Sequence, residues 1–418
     1  MRRTTAPPAL IACVLLLAGC GSSRTDDDVV DAVPAGARAY MHLDRGAEDW
    51  RAAREALGRL PALEGLALDA LAGRIDVPGD GEAGIALVPE PVVLTPDDEQ
   101  VERSLEDLPR YEELLDGLPD ERFAHGYLAR RAARPLRSLD GSVTAAAAAA
   151  DLDGDTMRVR LRALHEGEPG SCAAGRGGDE LLEVADPDAA LYLEVPSIGC
   201  AIRALAGRFD GVGGAFGRFA RAAQRRGDVS LAGELLPLLD RRGALIAAPG
   251  DTAPTLTLVV EDVDEQQALD VLARLQPALI HLLRTEELGQ AATFGSAEVE
   301  GITAATAQLA PGLELSYAAW DGRLVVSTAL QGIAAVRRAE GLPGGEGFDA
   351  VLGDRPSERS ALLFLDLNQL LTLGEQAGLA EDPRYLAIRD DLQKLRAAGA
   401  VLSREEDYTT AELTFQIP

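Results

Sequence analysis

The sequence predicts an α+β fold in which mainly antiparallel sheets, built from hairpins, pack against helices. Three observations support this class. Short apolar strands are joined by turns that favour tight hairpins, helical patterns separate the hairpins, and few segments are long enough for a parallel crossover. The 418 residues are 47% apolar and 26% charged, which is ordinary globular composition for roughly two or three domains.

The first 19 residues are typical of a bacterial lipoprotein signal peptide. Arg2 and Arg3 precede an apolar run from Ala9 to Ala18, which is about half as long as a membrane span. The run ends in Leu-Ala-Gly-Cys20, which resembles the lipobox of bacterial lipoproteins. In that resemblance, the Cys20 thiol carries a diacylglycerol with fatty acyl chains such as palmitate, and Cys20 becomes the mature N-terminus. A plain secretory signal with an incidental cysteine is the alternative.

The next segment, residues 20–31, is polar and acidic and predicts a solvated tether. No later run approaches 18 uninterrupted apolar residues, so lipid alone is expected to hold the body at the extracytoplasmic face of the cell membrane. Loss of Arg2 and Arg3 changes the net charge from −28 to −30. A pI near 4.5 without a basic tract argues against nucleic acid as the partner. The same acidity disfavours docking of the whole surface onto anionic lipid.

Four segments of the body share one pattern, in which a turn-rich start leads to a short apolar strand and then to a helical pattern. They begin at Pro34, Pro119, Pro187 and Pro356. Proline presets a turn and cannot extend a helix, so it marks the start of each segment. Ancient duplication and convergent turn chemistry both account for the repetition. Duplication would relate the N-terminal lobe of the chain to the C-terminal lobe.

Four pairs of strands are expected to form hairpins. Asp153-Gly154 and Asp321-Gly322 have the turn chemistry of tight hairpins. The pairs are 145–152 with 157–164, 244–248 with 255–260, 313–320 with 323–328, and 400–403 with 410–417.

Helical patterns lie between the hairpins, over 47–60, 101–118, 264–277 and 384–395, with Asp264 as an N-cap. The Gly-rich, aperiodic segment 166–185 is expected to link an N-terminal lobe, 32–165, to a C-terminal lobe, 186–418.

Several stretches resemble the bacterial family catalogued as domain of unknown function 3352 (DUF3352). They are Leu108–Leu128, Ala185–Val195, Leu258–Leu275, Asp321–Thr328 and Ser360–Leu371, and the resemblance extends over residues 33–418. Members are secreted or membrane-anchored, so the resemblance implies an envelope location and an α+β fold. It implies no mechanism, because the family has no established activity that could be transferred residue by residue.

Two cysteines remain after removal of Cys13 with the signal and lipidation of Cys20. Outside the cytoplasm, Cys172 and Cys200 would form a disulfide that closes a loop of about 28 residues and stabilises by about 3 kcal/mol. Two free thiols are the alternative. No CxxC or histidine spacing completes a metal site with this pair, and no metal or other cofactor is expected.

The common local signatures of catalysis are absent from the sequence. It has no HExxH, GxSxG, SxxK or Walker-type motif. His42 and His125 lie in repeated strands, either as acid–base groups of a shared cleft or as buried, hydrogen-bonded side chains. Gly211–Gly217 misses the dinucleotide-binding pattern and predicts a flexible loop or a helix-packing segment. Asp151–Asp155 lacks the ligands of a calcium loop and suits a hairpin turn.

Arg218, Arg221 and Arg225 fall on one face of a helical pattern, opposite Phe216 and Phe219. This face either contacts an anionic headgroup or wall polymer, or is a solvated stripe that the abundant acids neutralise. We expect a non-catalytic, lipid-anchored envelope protein that binds a protein, lipid or wall partner. The alternative is a carrier of a lipid or other apolar ligand in a cavity between sheet and helices.

Overall fold

The computed structural model describes residues 29–44, 48–62, 82–88, 90–119, 122, 124–133, 142–166, 176–208, 210–250, 253–283, 293–310, 313–376 and 378–417. They belong to two compact units. Unit 1 draws on Met1–Gly170, Ala350–Leu352 and Gly374–Pro418, and unit 2 on Ser171–Asp349 and Gly353–Leu373. One boundary falls inside the predicted linker 166–185. The C-terminal segment belongs to unit 1 rather than to a continuous lobe 186–418, because its last strand pairs with a strand from the N-terminal half.

The described residues contain sixteen strands. They are β1 (Ala39–Asp44), β2 (Glu82–Val88), β3 (Glu90–Leu94), β4 (Ala124–Leu128), β5 (Val143–Asp153), β6 (Thr156–His165), β7 (Leu191–Val195), β8 (Gly243–Ala248), β9 (Thr255–Val260), β10 (Thr293–Val299), β11 (Ile302–Ala310), β12 (Leu313–Trp320), β13 (Arg323–Ser327), β14 (Ala361–Asp366), β15 (Ala397–Arg404) and β16 (Tyr408–Gln416).

Ten helices accompany these strands in the same residues. They are α1 (Glu48–Gly58), α2 (Pro109–Leu115), α3 (Ile198–Arg208), α4 (Asp210–Arg226), α5 (Leu236–Leu239), α6 (Glu265–Leu283), α7 (Leu330–Arg338), α8 (Glu346–Leu352), α9 (Leu367–Gln376) and α10 (Pro383–Leu392). The predicted α+β class with antiparallel hairpins is confirmed.

Unit 1 arranges its strands in the order β15-β16-β6-β5-β4-β1-β2-β3, with antiparallel neighbours throughout. The alanines of β5, residues 145–150, are all buried. Their side chains alternate between the two faces of the sheet. Ala147 and Ala149 pack with α2 through Tyr111 and Leu114, and Ala150 packs with α1 on the opposite face. Small side chains in the central strand thus support helices on both faces.

Unit 2 arranges its strands in the order β10-β11-β12-β13-β9-β8-β7-β14, again antiparallel. Helix α6 packs on one face, where Ala268 contacts Val260 and Leu324. Helix α7 lies on the other face. A Cβ at Gly332 of α7 would stand 2.2 Å from both the Ser327 and the Thr257 hydroxyl oxygens, so only glycine allows this approach.

The two units repeat one strand order. Unit 1 contains β3-β2-β1-β4 and unit 2 contains β9-β8-β7-β14. The four Pro-initiated segments supply β1, β4, β7 and β14, so two such segments are direct neighbours in each unit. This repetition supports the predicted duplication, which remains a prediction.

The hairpin turns follow the predicted chemistry with one shift of register. Trp320 pairs with Arg323, and Asp321 and Gly322 both have positive φ, as a type I′ turn requires. In the β5–β6 hairpin Asp153 pairs with Thr156, so the turn residues are Gly154 and Asp155 rather than Asp153 and Gly154. Gly154 has a φ of 61° and takes the first turn position, which glycine favours.

One helical prediction needs correction, and one open alternative is decided. The helix expected over 101–118 is limited to α2, because Pro109 starts it and disfavours helical backbone at the preceding residue. The Gly-rich stretch 211–217 is part of helix α4, which favours helix packing over a flexible loop. A Cβ at Gly213 would stand 2.5 Å from the Ala206 carbonyl oxygen of α3. Asp264 accepts a hydrogen bond from the Gln267 amide (2.8 Å), which confirms the predicted N-cap.

Candidate functional site

Helix α4 carries the residues that the sequence singled out for anion binding. Phe216, Phe219 and Ala223 face the core of unit 2, where they pack in a cluster that includes Val271 and Leu275 of α6. The opposite side of α4 is solvent-exposed. Its amphipathic pattern therefore fixes which side of the helix is available to a partner.

The arginine row, defined as Arg218, Arg221 and Arg225, occupies that exposed side. The residues are three and four positions apart, so their Cα atoms follow one another along the axis over about 10 Å. Among the described residues, their side chains have no ion-pair or hydrogen-bond partner. The acid closest to them in helical spacing is Asp228, whose Oδ1 accepts a hydrogen bond from Gln224 instead (3.5 Å).

Exposed Arg226 and Arg241 share with this row the lack of an ion-pair partner among the described residues, in contrast to the other arginines described in unit 2. Nine of those form ion pairs within the described residues: Arg176, Arg203, Arg242, Arg274, Arg323, Arg337, Arg338, Arg355 and Arg359. Like charges three and four residues apart on a helix repel one another by a few tenths of a kcal/mol per pair. The row therefore concentrates positive charge at a small cost in stability, within a chain of net charge −28.

A second feature of unit 2 is an apolar surface that we call the leucine face. Cross-strand register places two parallel rows of side chains on one side of the sheet. The rows are Leu363, Leu193, Leu245 and Leu258, and Leu365, Leu191, Ala247 and Leu256. Within these rows, 37% of Leu245 and 45% of Leu256 are exposed.

The leucine face continues a part of the sheet that helices cover. Val195 and Val260, which follow Leu193 and Leu258 by two residues on the same face of the sheet, pack with Ile198 at the start of α3. Leu258 joins the same cluster, whereas Leu245 and Leu256 remain open to solvent. On β8 and β9 the sheet thus passes from a packed core to exposed apolar side chains. Contiguous exposed apolar surface is typical of binding sites.

The structure brings together the two histidines that the sequence placed in repeated strands. His42 of β1 and His125 of β4 stand directly opposite each other, with ring centroids 5.0 Å apart. Both are at least 95% buried. The Tyr111 hydroxyl lies 3.1 Å from His125 Nε2, and His42 Nε2 lies 4.0 Å from a Glu82 carboxylate oxygen. The burial of both rings and the hydrogen bond of His125 match the buried alternative rather than an open acid–base cleft.

Unit 2 contains a buried ionic network that the sequence patterns did not predict. Glu194 of β7 is 1% exposed and accepts hydrogen bonds from the Tyr192 hydroxyl (2.9 Å), Arg242 (3.0 and 2.8 Å) and Arg359 (3.1 Å). The Arg359 side chain is fully buried and also pairs with Asp179 at 2.6 Å. Burial, together with the neighbouring Glu194 carboxylate, raises the pKa of Tyr192 well above its usual value.

One signal for this network existed in the sequence. Tyr192 and Glu194 alternate with Leu191, Leu193 and Val195, so a carboxylate shares a strand face with an aromatic residue. The sequence does not reveal that Arg242 and Arg359 pair with this carboxylate. They precede β8 and β14, and only the strand order, which places both strands beside β7, brings them to Glu194. The buried polar atoms of this network have hydrogen-bond partners, except for the Nε atom of Arg359. Satisfied buried polar groups are typical of a structural role.

The predicted cysteine sites lie largely outside the described residues. This holds for Cys20 and Cys172. Cys200 is 5% exposed, lies in α3 and is disulfide-bonded. Its predicted pairing with Cys172 stays a prediction.

The remaining candidates have structural surroundings. His165 is buried against Ser142 (2.9 Å) and Thr409 (2.7 Å), while the side chain of His281 lies outside the described set. In that set, no three His, Cys, Asp or Glu side chains are arranged to hold a metal ion. No helix within it is both long and apolar enough to span a membrane.

No protein-family model and no curated protein matches the chain. Among solved structures, three crystal forms of TP0453 are similar to it. Form IV has 14% identity and a TM-score of 0.28 over 56% of this chain and 80% of that chain. Form III has 12% identity and 0.28 over 57% and 92%, and form I has 12% and 0.26 over 57% and 79%. Similarity at this level supports no assignment, and the resemblance to DUF3352 stays a prediction.

Proposed function

We propose that the chain is a lipid-anchored protein at the extracytoplasmic face of a bacterial membrane, where it binds an anionic envelope component without catalysing a reaction. The observation that carries the binding role is the arginine row of α4, which is exposed and has no ion-pair partner among the described residues of an acidic protein. Arginine presents a planar fork of donors that matches phosphate and carboxylate oxygens. A row of such groups on a rigid helix is suited to a polyanionic surface or polymer.

The anchoring role is supported by the order of the N-terminal features. Arg2 and Arg3, the apolar run and the Leu-Ala-Gly-Cys20 sequence follow one another at the spacing of a lipoprotein signal. A single thioether-linked diacylglycerol contributes two acyl chains, and two chains suffice for stable attachment to a membrane.

The anchor is tested by expressing the full chain and its Cys20→Ser variant in a bacterium. We expect the wild-type protein in the detergent-extracted membrane fraction, with an N-terminal peptide whose mass includes a diacylglycerol on Cys20. The variant should lose that mass and the membrane attachment. Equal membrane attachment of both proteins, without added lipid mass, would rule out the lipid anchor.

The binding role is tested with purified protein from which the anchor has been removed by the same substitution. Anionic phospholipid and anionic wall-polymer fractions are immobilised, and retention of the protein is compared with retention of the Arg218→Gln/Arg221→Gln variant. We expect retention by at least one anionic fraction and a substantial loss in the variant. Identical retention of both proteins would refute a binding role for the arginine row.

The leucine face favours a second candidate function, carriage of a lipid acyl chain. Its two rows cross four strands, so each row of apolar side chains extends over about 14 Å, although only Leu245 and Leu256 are largely exposed. An acyl chain lying across the strands would cover the exposed Leu245 and Leu256 side chains. Burial of such surface is favourable by about 25 cal/mol per Å².

Native mass spectrometry of protein purified from its membrane tests this second function. We expect lipid adducts on the wild type and their loss in Leu245→Gln/Leu256→Gln. Leu386→Gln is the matched control, because Leu386 is 53% exposed on α10 of unit 1 and lies outside the leucine face. Adducts that persist in the double variant, or that disappear equally in the control, would reject acyl-chain binding at this face.

A further inference from the structure

We infer that the anionic partner of the arginine row is the headgroup surface of the membrane that carries the anchor, so that α4 docks the body of the protein on its own bilayer. This inference rests on the proposed function, since it takes Cys20 as the point of attachment. It adds a second membrane contact, made by protein side chains in unit 2 rather than by lipid.

The length of the tether keeps the membrane within reach. Eight residues, 21–28, lie between Cys20 and Val29, where the described part of the chain begins. Fully extended, they span about 30 Å, which is the greatest distance between the bilayer surface and the start of unit 1. Covalent attachment of the chain to the bilayer gives the membrane a high effective concentration, so a weak contact is populated without further binding energy. A wall polymer has no such tether to the protein.

The distribution of charge favours this particular helix for the contact. Residues 198–226, which contain α3 and α4, have six arginines and one acid, Asp210, and therefore a local charge of +5 in a chain of −28. At physiological ionic strength, electrostatic interactions are screened beyond about 8 Å. Acidic groups farther than this from α4 are screened from a bilayer that touches it, whereas the row itself and the neighbouring Asp228 lie within the screening distance. In an otherwise acidic protein, α4 thus offers a basic surface, within the described part of the chain, that can approach anionic lipid.

The packing of α4 suits docking without rearrangement. Phe216 and Phe219 remain in the core cluster of unit 2, so the row projects from a helix that is already fixed. Gly214 and Gly217, one turn before Arg218 and Arg221, contribute no side chain of their own to the exposed side. A Cβ at Gly214 would lie 3.8 Å from Arg218 Nη1, and a Cβ at Gly217 would lie 3.6 Å from Arg221 Nη1. The two guanidinium groups therefore lie over bare backbone. Bulky side chains therefore do not hold headgroups away from the row.

The test measures partition of the mature chain with Cys20→Ser onto sedimented vesicles, so that any binding comes from the protein body. Vesicles of phosphatidylcholine are compared with vesicles that contain 30% phosphatidylglycerol, in about 100 mM salt. We expect binding to the anionic vesicles alone. Each arginine near an anionic surface contributes about a factor of five to ten, so Arg218→Gln/Arg221→Gln should lower the partition coefficient by about 30-fold.

The matched control removes two exposed arginines from another helix. Arg51→Gln/Arg54→Gln changes the net charge equally, but α1 intersperses its arginines with Glu48 and Glu55. This control should bind anionic vesicles as the wild type does. Equal losses in both double variants, or binding that is indifferent to vesicle charge, would overturn the inference. So would wild-type retention by wall polymer in the absence of any binding to anionic vesicles.

Failure of the inference and failure of the proposed function give different results. Absence of lipid on Cys20 removes the anchor but leaves vesicle binding measurable. Loss of vesicle binding with Cys20 lipidated refutes membrane docking and leaves the anchored binding protein intact. Because all four substituted arginines are exposed, unchanged thermal midpoints are expected for both double variants, and these midpoints verify that the proteins are folded.

Discussion

The substitution Glu194→Gln tests the physical account of the buried network in unit 2. Glu194 accepts four hydrogen bonds, and three of them come from the guanidinium groups of Arg242 and Arg359. Glutamine has the same shape but no charge. Its NH₂ group would face donors whichever way the amide is turned, because Arg242 donates to one carboxylate oxygen and Tyr192 and Arg359 donate to the other. The variant therefore leaves a fully buried Arg359 near Arg242 without the central anion.

The expected cost follows from the burial of the pair. Removing one member of a buried ion pair typically destabilises a protein by about 3–5 kcal/mol, because the other charge stays buried. Arg359 retains Asp179 (2.6 Å), and Arg242 retains Glu180 (2.9 Å) and Glu261 (3.2 Å). These remaining carboxylates limit the loss. We expect Glu194→Gln to lower the free energy of unfolding of unit 2 by about 4 kcal/mol.

Urea unfolding followed by tryptophan fluorescence measures this loss in the correct unit. The chain has two tryptophans, Trp50 in unit 1 and Trp320 in unit 2. A Trp50→Phe background therefore leaves Trp320 as the reporter of unit 2, and a Trp320→Phe background leaves Trp50 as the reporter of unit 1.

Glu375→Gln in unit 1 provides a chemically matched control at the surface. Glu375 also accepts a tyrosine hydroxyl, that of Tyr385 (2.5 Å), and two bonds from one arginine, Arg389 (2.6 and 3.2 Å). Its side chain is 27% exposed, whereas that of Glu194 is 1% exposed. Because water can replace these bonds at the surface, the unfolding midpoint of unit 1 should hardly change. Equal effects of the two substitutions would refute the view that burial gives the Glu194 network its importance.

Two further predictions concern pH and close packing. Burial, with minor opposition from Arg158, raises the pKa of Asp151 from 3.8 to about 6, so the ionised carboxylate destabilises the folded state above that pH. Relative to Asp151→Asn, the wild type should gain about 2–3 kcal/mol in the stability of unit 1 as the pH falls from 7 to 4, measured by urea titrations. Parallel pH profiles of the two proteins would contradict this. Gly332→Ala should cost about 2 kcal/mol in thermal unfolding, because its methyl group overlaps the Ser327 and Thr257 hydroxyls. Gly207→Ala, in an open position of α3, should instead stabilise by up to about 1 kcal/mol, and a similar loss at both glycines would exclude steric overlap as the cause.

Local chemistry made most of the hairpins predictable. The Asp321-Gly322 turn has its expected register, because both residues accept positive φ. The six alanines of β5 favour a helix by intrinsic propensity, yet the neighbouring Gly154 turn and the partner strand indicated a hairpin, and the sheet confirms it. The turn at Glu300 and Gly301 was not predicted, since glutamate seldom occupies a turn position with positive φ. Both residues nevertheless have positive φ and join β10 to β11.

The candidate surfaces differ in how far the sequence could reveal them. The arginine row depends only on helical periodicity within one segment, so residue spacing was enough to predict that its members share a face. The leucine face and the His42–His125 pair depend on which strands are neighbours and in which register. Strand order is set by the packing of the whole unit, and a one-residue slip would turn each side chain to the other face. Sequence periodicity alone therefore could not assemble these sites.

The path of the chain through unit 1 has a consequence for its synthesis and folding. Strand β6 ends at His165, but its partner β16 ends at Gln416, near the last residue of the chain. All of unit 2 is translated between the two strands. One side of β6 therefore keeps its amide and carbonyl groups unpaired until β16 has been translated. Exposed strand edges are prone to pairing with other chains. A premature stop after unit 2 would leave this edge open permanently, so loss of about 40 C-terminal residues should produce aggregation rather than a shorter working protein.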